Sequence, residues 1–377
     1  PFFHLLYCLC QSLGIDARAH WRTSGPTPSC SVGLCGVGDV PVFGTGGLMT
    51  KVDSYLNDGE TVCIGRKGTI DKPMYFNGKI WTVDTLFYTH SFKESNPKFV
   101  YNLFQRVNWK QHNEAGGVPS LSKSTIEQIS LSLPTLPEQQ KIATFLSSVD
   151  EKIQLLSRKK ELLEQYKKGV MQQLFSGELR FKDENGDDYA DWEEKKLGEI
   201  AKYYDGTHQT PNYVESGIPF YSVEHVTANQ FSKSKYISKE VFEKENKRVK
   251  LEKGDILMTR IGDIGTSRLI DWDVNASFYV SLALIKQNEN YNSSFLNQYI
   301  SSVYFQKELW ANTIHVAFPK KINLGEIGKC KIILPCLKEQ QKIATFLSSI
   351  DVKIERINQQ INKMQSFKKG LLQQLFV

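Results

Sequence analysis

Residues 133–175 read LPTLPEQQKIATFLSSVDEKIQLLSRKKELLEQYKKGVMQQLF, and residues 334–376 read LPCLKEQQKIATFLSSIDVKIERINQQINKMQSFKKGLLQQLF. The offset is 201 throughout, without a gap, and 24 of the 43 positions are identical. Chance does not produce such a match, so the chain is a duplicated unit. Each copy opens on a proline and a Glu-Gln-Gln run and then turns helical. In the second copy apolar residues fall at Ile343, Leu347, Ile350, Ile354, Ile357, Ile361, Met364, Leu371 and Leu375, with Lys368 interrupting one place. The first copy repeats them at Ile142, Leu146, Val149, Ile153, Leu156, Leu163, Val170 and Leu174. Steps alternating four and three make the a/d seam of a coiled coil, sustained for about five heptads. Helices of about 33 residues, roughly 50 Å long, are expected. The alternative, two helices buried in separate globular cores, fits less well, because core helices rarely hold so narrow a seam for so long. Mutual pairing buries both seams, and a two-fold relation between the units would make the pair antiparallel.

Outside the helices the repeat is faint but traceable. Val40-Pro41-Val42-Phe43 parallels Ile218-Pro219-Phe220-Tyr221. Gly59-Glu60-Thr61-Val62 parallels Gly254-Asp255-Ile256-Leu257, and Arg66-Lys67-Gly68-Thr69-Ile70 parallels Arg260-Ile261-Gly262-Asp263-Ile264. Strands are expected at Ile218–Val223, Asp255–Arg260, Ser277–Lys286 and Cys330–Leu334, and a helix over Ser294–Ala311. Asp183 to Asp188 is a polar turn-rich linker, after which WEEKKLGEI (192–200) opens a new domain. Near-identical helices suit one common partner bound twice. Diverged globular parts suit two different ligands.

The 377 residues suffice for two domains. A net charge of +6 permits a polyanionic partner without demanding one. Four of seven cysteines (Cys8, Cys10, Cys30, Cys35) crowd the first 35 residues, and Cys63, Cys330 and Cys336 lie in apolar runs. No pair has zinc or redox spacing, so free buried thiols in a reducing compartment are expected. No apolar run reaches the roughly 20 residues of a membrane span. Phe2 to Cys10 is apolar but lacks a basic flank and cleavage site, and the expected location is the cytoplasm without membrane attachment.

No phosphate loop, nucleophile elbow or metalloprotease helix occurs, and the seven histidines are scattered. A methyltransferase would also need an Asn/Asp-Pro-Pro-aromatic motif, which is absent. Gly44-Thr45-Gly46-Gly47 is the nearest approach to a cofactor loop, but the polar stretch after it favours a turn. Several residues suit nucleic acid. Arg66, Lys67 and Thr69 sit where an apolar strand meets a glycine turn, with Thr45 and Gly46 in the earlier glycine turn. Arg260, Asp263 and Thr266 hold the matching place around Gly262 and Gly265. An arginine fork pairs with guanine or phosphate, and glycine admits close backbone approach. Thr207, His208 and Gln209 offer groups for base edges, and Lys320 with Lys321 for phosphate. Each of these is individually compatible with a solvated turn, and the Lys244, Lys247, Arg248, Lys250 run reads as a solvated helix face.

The doubled LPxLxEQQKIATFLSSxD helix, its KKGxxQQLF end and the linker SGELRFKDENGDDYADWEEKKLGEI resemble the conserved regions of Type I restriction–modification specificity subunits. The resemblance runs from about residue 40 to 377. It implies an α+β protein of two pseudo-two-fold related target-recognition domains, each followed by a long helix, the helices pairing as an antiparallel coiled coil. The implied order is a first recognition domain (1–132), first conserved helix (133–180), second recognition domain (181–333) and second conserved helix (334–377). The resemblance implies a split double-stranded DNA target, read half by each domain. Ile142, Leu146, Val149, Ile153 and Leu156, with Ile343, Leu347, Ile350, Ile354 and Ile357, would form the seam. That seam would space the domains and dock two DNA methyltransferase subunits, which restriction/translocase subunits then join. S-adenosylmethionine, ATP and magnesium would serve those partners, leaving this chain without cofactor or catalysis. The rival reading is a coiled-coil assembly protein whose globular domains bind protein. Residues 1–38 depart from the pattern, since at offset 201 the counterpart of Trp192 would precede residue 1.

Overall fold

The computed structural model describes residues 38–376, together with the backbone of two strand segments, Leu5–Cys8 and Gly14–Asp16. The chain forms two compact units, residues 1–158 with 359–377, and residues 159–358. Both boundaries fall inside the long helices, so each unit joins one globular part to half of each helix.

In the first unit, β1 (Leu5–Cys8), β2 (Gly14–Asp16), β3 (Val40–Gly44), β4 (Gly47–Val52), β5 (Glu60–Gly65), β6 (Met74–Asn77), β7 (Trp81–Thr82), β8 (Leu86–His90) and β9 (Ser130–Leu133) make three sheets. Their orders are β2-β8-β5-β6, β4-β3-β7 and β1-β9. β5 is buried from Thr61 through Gly65 because both faces of its sheet are covered. Period-two alternation divides its side chains. Val62 and Ile64 pack with Val100, Phe104 and Trp109 under the helix Pro97–Phe104, whereas Cys63 faces Ile80, Leu86 and Tyr88.

The second unit repeats the plan with β10 (Glu193–Lys196), β11 (Tyr203–Asp205), β12 (Tyr213–Val214), β13 (Ile218–Tyr221), β14 (Lys235–Ile237), β15 (Ile256–Ile261), β16 (Asp263–Leu269), β17 (Ser277–Phe278), β18 (Leu282–Ile285) and β19 (Lys331–Leu334). The orders are β11-β18-β15-β16, β12-β14-β13-β17 and β10-β19. Ile256 and Met258 pack toward Phe295 and Tyr299, and Leu257 toward Tyr221, Val226 and Phe278. The parallel pair β3–β7 has its counterpart in β13–β17. The helical run expected over Ser294–Ala311 is two helices, Ser293–Ile300 and Val303–Ala311. They part at Ser302, whose side chain caps the second by accepting from Phe305 N–H.

The atypical N-terminal stretch lies largely outside the described residues, but its first strand is informative. β1 pairs with β9 at Leu5↔Leu133, and β10 pairs with β19 at Glu193↔Leu334. Leu133 and Leu334 are repeat equivalents, so β1 stands where the strand of WEEKK stands in the second unit. A constant offset of 201 concealed this, because the loops between differ in length.

The helices are Leu136–Phe175 and Leu337–Leu375, 40 and 39 residues, or about 60 Å each. Their Glu-Gln-Gln run is a clamp. Gln139 Oε1 accepts from Asn96 N–H at 2.9 Å and Gln140 Oε1 from Asn96 Nδ2 at 2.7 Å. Asn96 in turn caps the helix Pro97–Phe104 by accepting from Phe99 N–H at 3.0 Å. In the second unit Gln340 and Gln341 hold Asn292 at 2.8 and 2.7 Å, and Asn292 caps the helix Ser293–Ile300. Gln139 and Gln340 are fully buried, with their amides spent on the carbonyls of Pro134 and Pro335.

The seam is divided between two tasks. Its first heptads enter the globular cores: Ile142 and Ala143 pack with Phe99 and Leu103, and Ile343 and Leu347 with Phe295 and Tyr299. The rival arrangement of helices in separate cores therefore holds for the helix starts. Further along, Leu146, Val149 and Leu156, and Ile350 and Ile357, are buried, while Ile153 and Ile354 are half-buried. Near the end Leu372 is buried and Leu375 is 37% exposed, so the seam does not continue through Leu375. Lys368, which interrupts the apolar pattern, pairs with Asp150 at 2.8 Å in the first unit. Its repeat equivalent Lys167 pairs with Asp351 at 2.7 Å in the second. A late lysine meeting an early aspartate in each unit makes the strands of the pair antiparallel. Phe175 then inserts against Tyr299 and Phe295 at 5.1 and 5.8 Å, and Phe376 against Phe99 at 4.9 Å.

Candidate nucleic-acid interface

Arg260 organises the second unit's candidate loops. It ends the buried run of β15, so its guanidinium emerges under the sheet edge and is only 8% exposed. Nε donates to Val280 O at 2.8 Å and Nη1 to Ile322 O at 3.2 Å, while Nη2 lies 3.5 Å from Asp205. One side chain thus ties together the loop after β11, the turn before β18 and the strand-like stretch after Lys321. Burial lowers the Arg260 pKa, and the charge of Asp205 opposes that. Burial works to raise the Asp205 carboxyl, but hydrogen bonds and charge from Arg248 and His208 outweigh it and hold it below the ordinary carboxylate range. Arg248, read from sequence as part of a solvated helix face, donates to both the carboxylate and the carbonyl of Asp205.

Around this hub the expected contact residues separate. Thr207 is buried and bridged to the backbone around Phe278 to Val280. His208 is exposed with Nε2 2.7 Å from Asp205 Oδ2, and Gln209 is exposed. Asp263 opens β16 exposed, accepting from Thr259 Oγ1 at 3.0 Å, and Thr266 is held in the ladder by the same hydroxyl. Gly262 turns the hairpin at φ +83°, where a side chain would be strained, and its N–H donates to Lys320 O at 2.8 Å. Lys320 and Lys321 therefore flank the hairpin tip, both exposed, with Lys320 Nζ over the Trp310 ring at 4.8 Å. Trp310 is 61% exposed, and Val316 and Phe318 are essentially fully exposed.

In the first unit the same backbone frame carries different side chains. Arg66 N–H donates to Thr85 O, its carbonyl accepts from Leu121, and Gly68 at φ +86° donates to Pro119 O. Arg260 N–H donates to Ser281 O, its carbonyl accepts from Ile322, and Gly262 donates to Lys320 O. The two arginines are equivalent, and both reach the corresponding carbonyl, Asp84 for Arg66 and Val280 for Arg260. Arg66 differs in being exposed at its fork. Pro119-Ser120 stands where Lys320-Lys321 stands, and Lys67 where Ile261 stands, so the cations change sides of the frame. Thr45 and Gly46 form the two-residue turn between β3 and β4, as a hairpin and not a phosphate cradle. Thr45 Oγ1 lies beside Gly68, so the β3–β4 tip and the Arg66–Thr69 turn meet. The tip lines a shallow cleft of about 530 Å³ with Asp84, Thr85 and the exposed Leu48 and Met49.

The first unit therefore presents Thr45, Arg66 and Lys67 at its sheet edge, and the second His208, Gln209, Lys320 and Lys321. Such a rim suits phosphates and base edges. Trp310 and Phe318 went unrecognised in the sequence, although Phe318-Pro319-Lys320-Lys321 joins an aromatic to two cations outside any periodic apolar run. Of the cysteines, Cys63 and Cys330 are buried, which pushes both thiols up to about 12, whereas Cys336 is exposed and departs from the expectation of a buried thiol. Among the described residues no group of His, Cys, Asp and Glu is arranged to hold a metal ion. No described helix is long and apolar enough to cross a membrane.

A family model described as Type I restriction modification DNA specificity domain matches residues 22–165 and again 189–366. The specificity subunit of the Type I restriction enzyme MjaVIII from Methanocaldococcus jannaschii is 29% identical over 332 residues, spanning 84% of this chain and 75% of that protein. The EcoBI specificity subunit of Escherichia coli is 26% identical over 283 residues, 68% of this chain and 59% of its own length. Among solved structures, the Type I restriction–modification S subunit from M. genitalium superposes with a TM-score of 0.67 at 17% identity, covering 100% of this chain and 96% of that one. A structure on complex assembly and conformational transition of the type I R-M system matches with a TM-score of 0.54 at 14% identity, over 87% and 86% of the two chains. At these identities the structural likeness is one of fold.

Proposed function

The chain belongs to the Type I restriction–modification DNA specificity family, whose general function is recognition of a DNA target, and from that premise we propose that it reads a bipartite duplex, one half by each globular unit. The observation that carries this is the contrast between frame and rim. Arg66 and Arg260 share one backbone frame, while the cations around them sit at Lys67 in one unit and at Lys320 and Lys321 in the other. A common scaffold with exchanged contact groups fits two unlike half-sites. The repeated helices, identical at 24 of 43 aligned positions, support docking of two methyltransferase subunits through equivalent surfaces, with restriction subunits joining that core. The chain itself is assigned no catalytic step, and S-adenosylmethionine, ATP and magnesium are assigned to the partner subunits.

The test is methylation mapping of DNA treated with the assembled complex. A split motif is expected, and exchange of residues 314–321 for a foreign loop should alter one half only. An undivided motif, or a change in both halves, would overturn the reading. Duplex affinity should also fall steeply with salt, since phosphate contacts release counterions.

A further inference from the structure

The loop 314–321 of the second unit (IHVAFPKK) holds two apolar side chains out from a braced neck. At the neck Ile314 N–H donates to Lys321 O at 2.8 Å, Gly262 N–H to Lys320 O at 2.8 Å, and Ile322 N–H to Arg260 O at 3.0 Å. One flank is shored as well. The His315 ring lies 4.3 Å from that of Trp310, and Lys320 Nζ sits over the same indole. Val316 and Phe318, at the tip, are essentially fully exposed.

The first unit builds the same neck. Glu114 N–H donates to Ser120 O at 3.0 Å, Gly68 N–H to Pro119 O at 2.8 Å, and Leu121 N–H to Arg66 O at 2.8 Å. Between them runs EAGGVPS (114–120), one residue shorter and without aromatic or cation. Its acid turns back into the unit, Glu114 accepting from Ser122 N–H at 3.0 Å. Counted from the closing residue, Gly117 stands where Phe318 stands. The neck thus forms without a phenylalanine, and folding gives no reason for one.

An apolar side chain in water gains nothing until something buries it. The surroundings of Phe318 point to a polyanion. Lys320 and Lys321 follow it after Pro319, and residues 314–321 hold no acid. The neck also adjoins the Gly262 hairpin, inside the rim described above. Apolar side chains inserted between base steps unstack and kink a duplex, while cations hold the flanking phosphates. Resting on the reading of a duplex target, we propose that Phe318 is a wedge. It enters the base stack at one step in or beside the half-site of the second unit, with Lys320 and Lys321 on the adjacent backbone. The Gly116-Gly117 loop of the first unit offers no such wedge, so this unstacking is confined to one half of the target.

The test uses the assembled complex, at saturation, on duplexes carrying its methylation-mapped motif. 2-Aminopurine, whose emission rises on unstacking, is placed at successive positions across that half and its flanks. One position should show a rise that Phe318→Ala abolishes. Exchange of residues 314–321 for EAGGVPS should abolish it too, and Phe318→Leu should keep it, since leucine also wedges. Phe318→Ala should weaken duplex binding about tenfold, with melting unchanged because the position is exposed. If the duplex binds specifically but no position shows a rise that Phe318→Ala removes, the wedge fails and the duplex reading stands. Loss of partner subunits in Phe318→Ala, with duplex affinity unchanged, would make the tip a protein-docking surface instead. Failure of the unmodified complex to bind the duplex specifically would overturn the duplex reading, and the wedge with it.

Discussion

Arg260 spends its guanidinium on the carbonyls of Val280 and Ile322, whereas Arg66 leaves its fork exposed, although both close the same strand. Arg260→Ala should therefore cost about 1–3 kcal/mol of stability, because buried carbonyls lose their donor. Duplex affinity should fall with it, as the loops it ties lose order. Melting and fluorescence titration of the same variant check this; intact melting with relaxed readout of one half-site would instead make Arg260 a base reader. Lys320→Ala should leave melting unchanged and weaken all duplexes alike, with the salt slope reduced by about one. The Asp205 network adds a pH dependence of known sign. Its carboxyl is held low in the folded state, so its contribution is complete above the ordinary carboxylate value and is lost as pH falls through the lowered one. Amide protection over residues 205–210, taken relative to the intrinsic exchange rate at each pH, should stay constant from neutral pH down to that range and then fall. Asp205→Asn should show the reduced protection at every pH.

Helix pairing was legible in sequence because a 3.5-residue period survives any change of surface residues, but length was not: the helices run 40 and 39 residues where about 33 were expected, since their first turns carry the Glu-Gln-Gln clamp before the seam begins. Lys368 looked like a flaw in that period, since its partner Asp150 lies 218 positions away in sequence. Likewise Glu-Gln-Gln was visible as a repeated motif but not as a clamp, because Asn96 and Asn292 carry no local sign of being held. The β1 strand escaped notice for a related reason: pairing by backbone hydrogen bonds asks little of side-chain identity. At the helix ends the two phenylalanines are equivalent in sequence and unequal in packing. Phe175 is 1% exposed and meets two rings, while Phe376 is half-buried and meets one. Phe175→Ala should therefore cost about 3–5 kcal/mol, and Phe376→Ala clearly less, as denaturant unfolding would show. Equal losses would contradict the asymmetry.

At the scale of the molecule, the duplication told how many rims to expect but not which residues form them, since Thr207 and Thr266 are tied into the backbone frame and Phe318 stands free. Rim composition depends on where a loop leaves its sheet, and no periodicity records that. If the paired helices set the distance between half-sites, four residues added to both would lengthen them by about 6 Å. Methylation mapping should then show the spacer changed by one or two base pairs with both half-sequences retained; an unchanged spacer would exclude the helices as the ruler. The division of the chain also bears on the order in which it can fold during synthesis. The second unit is complete once residue 358 has left the ribosome, but the first needs residues 359–377, with Phe376 against Phe99. At about 5–20 residues per second, the part made first waits roughly 10–40 s for its last piece. Through that interval the nascent chain carries Phe99 without Phe376 against it, so the half translated earlier is the half most in need of a chaperone.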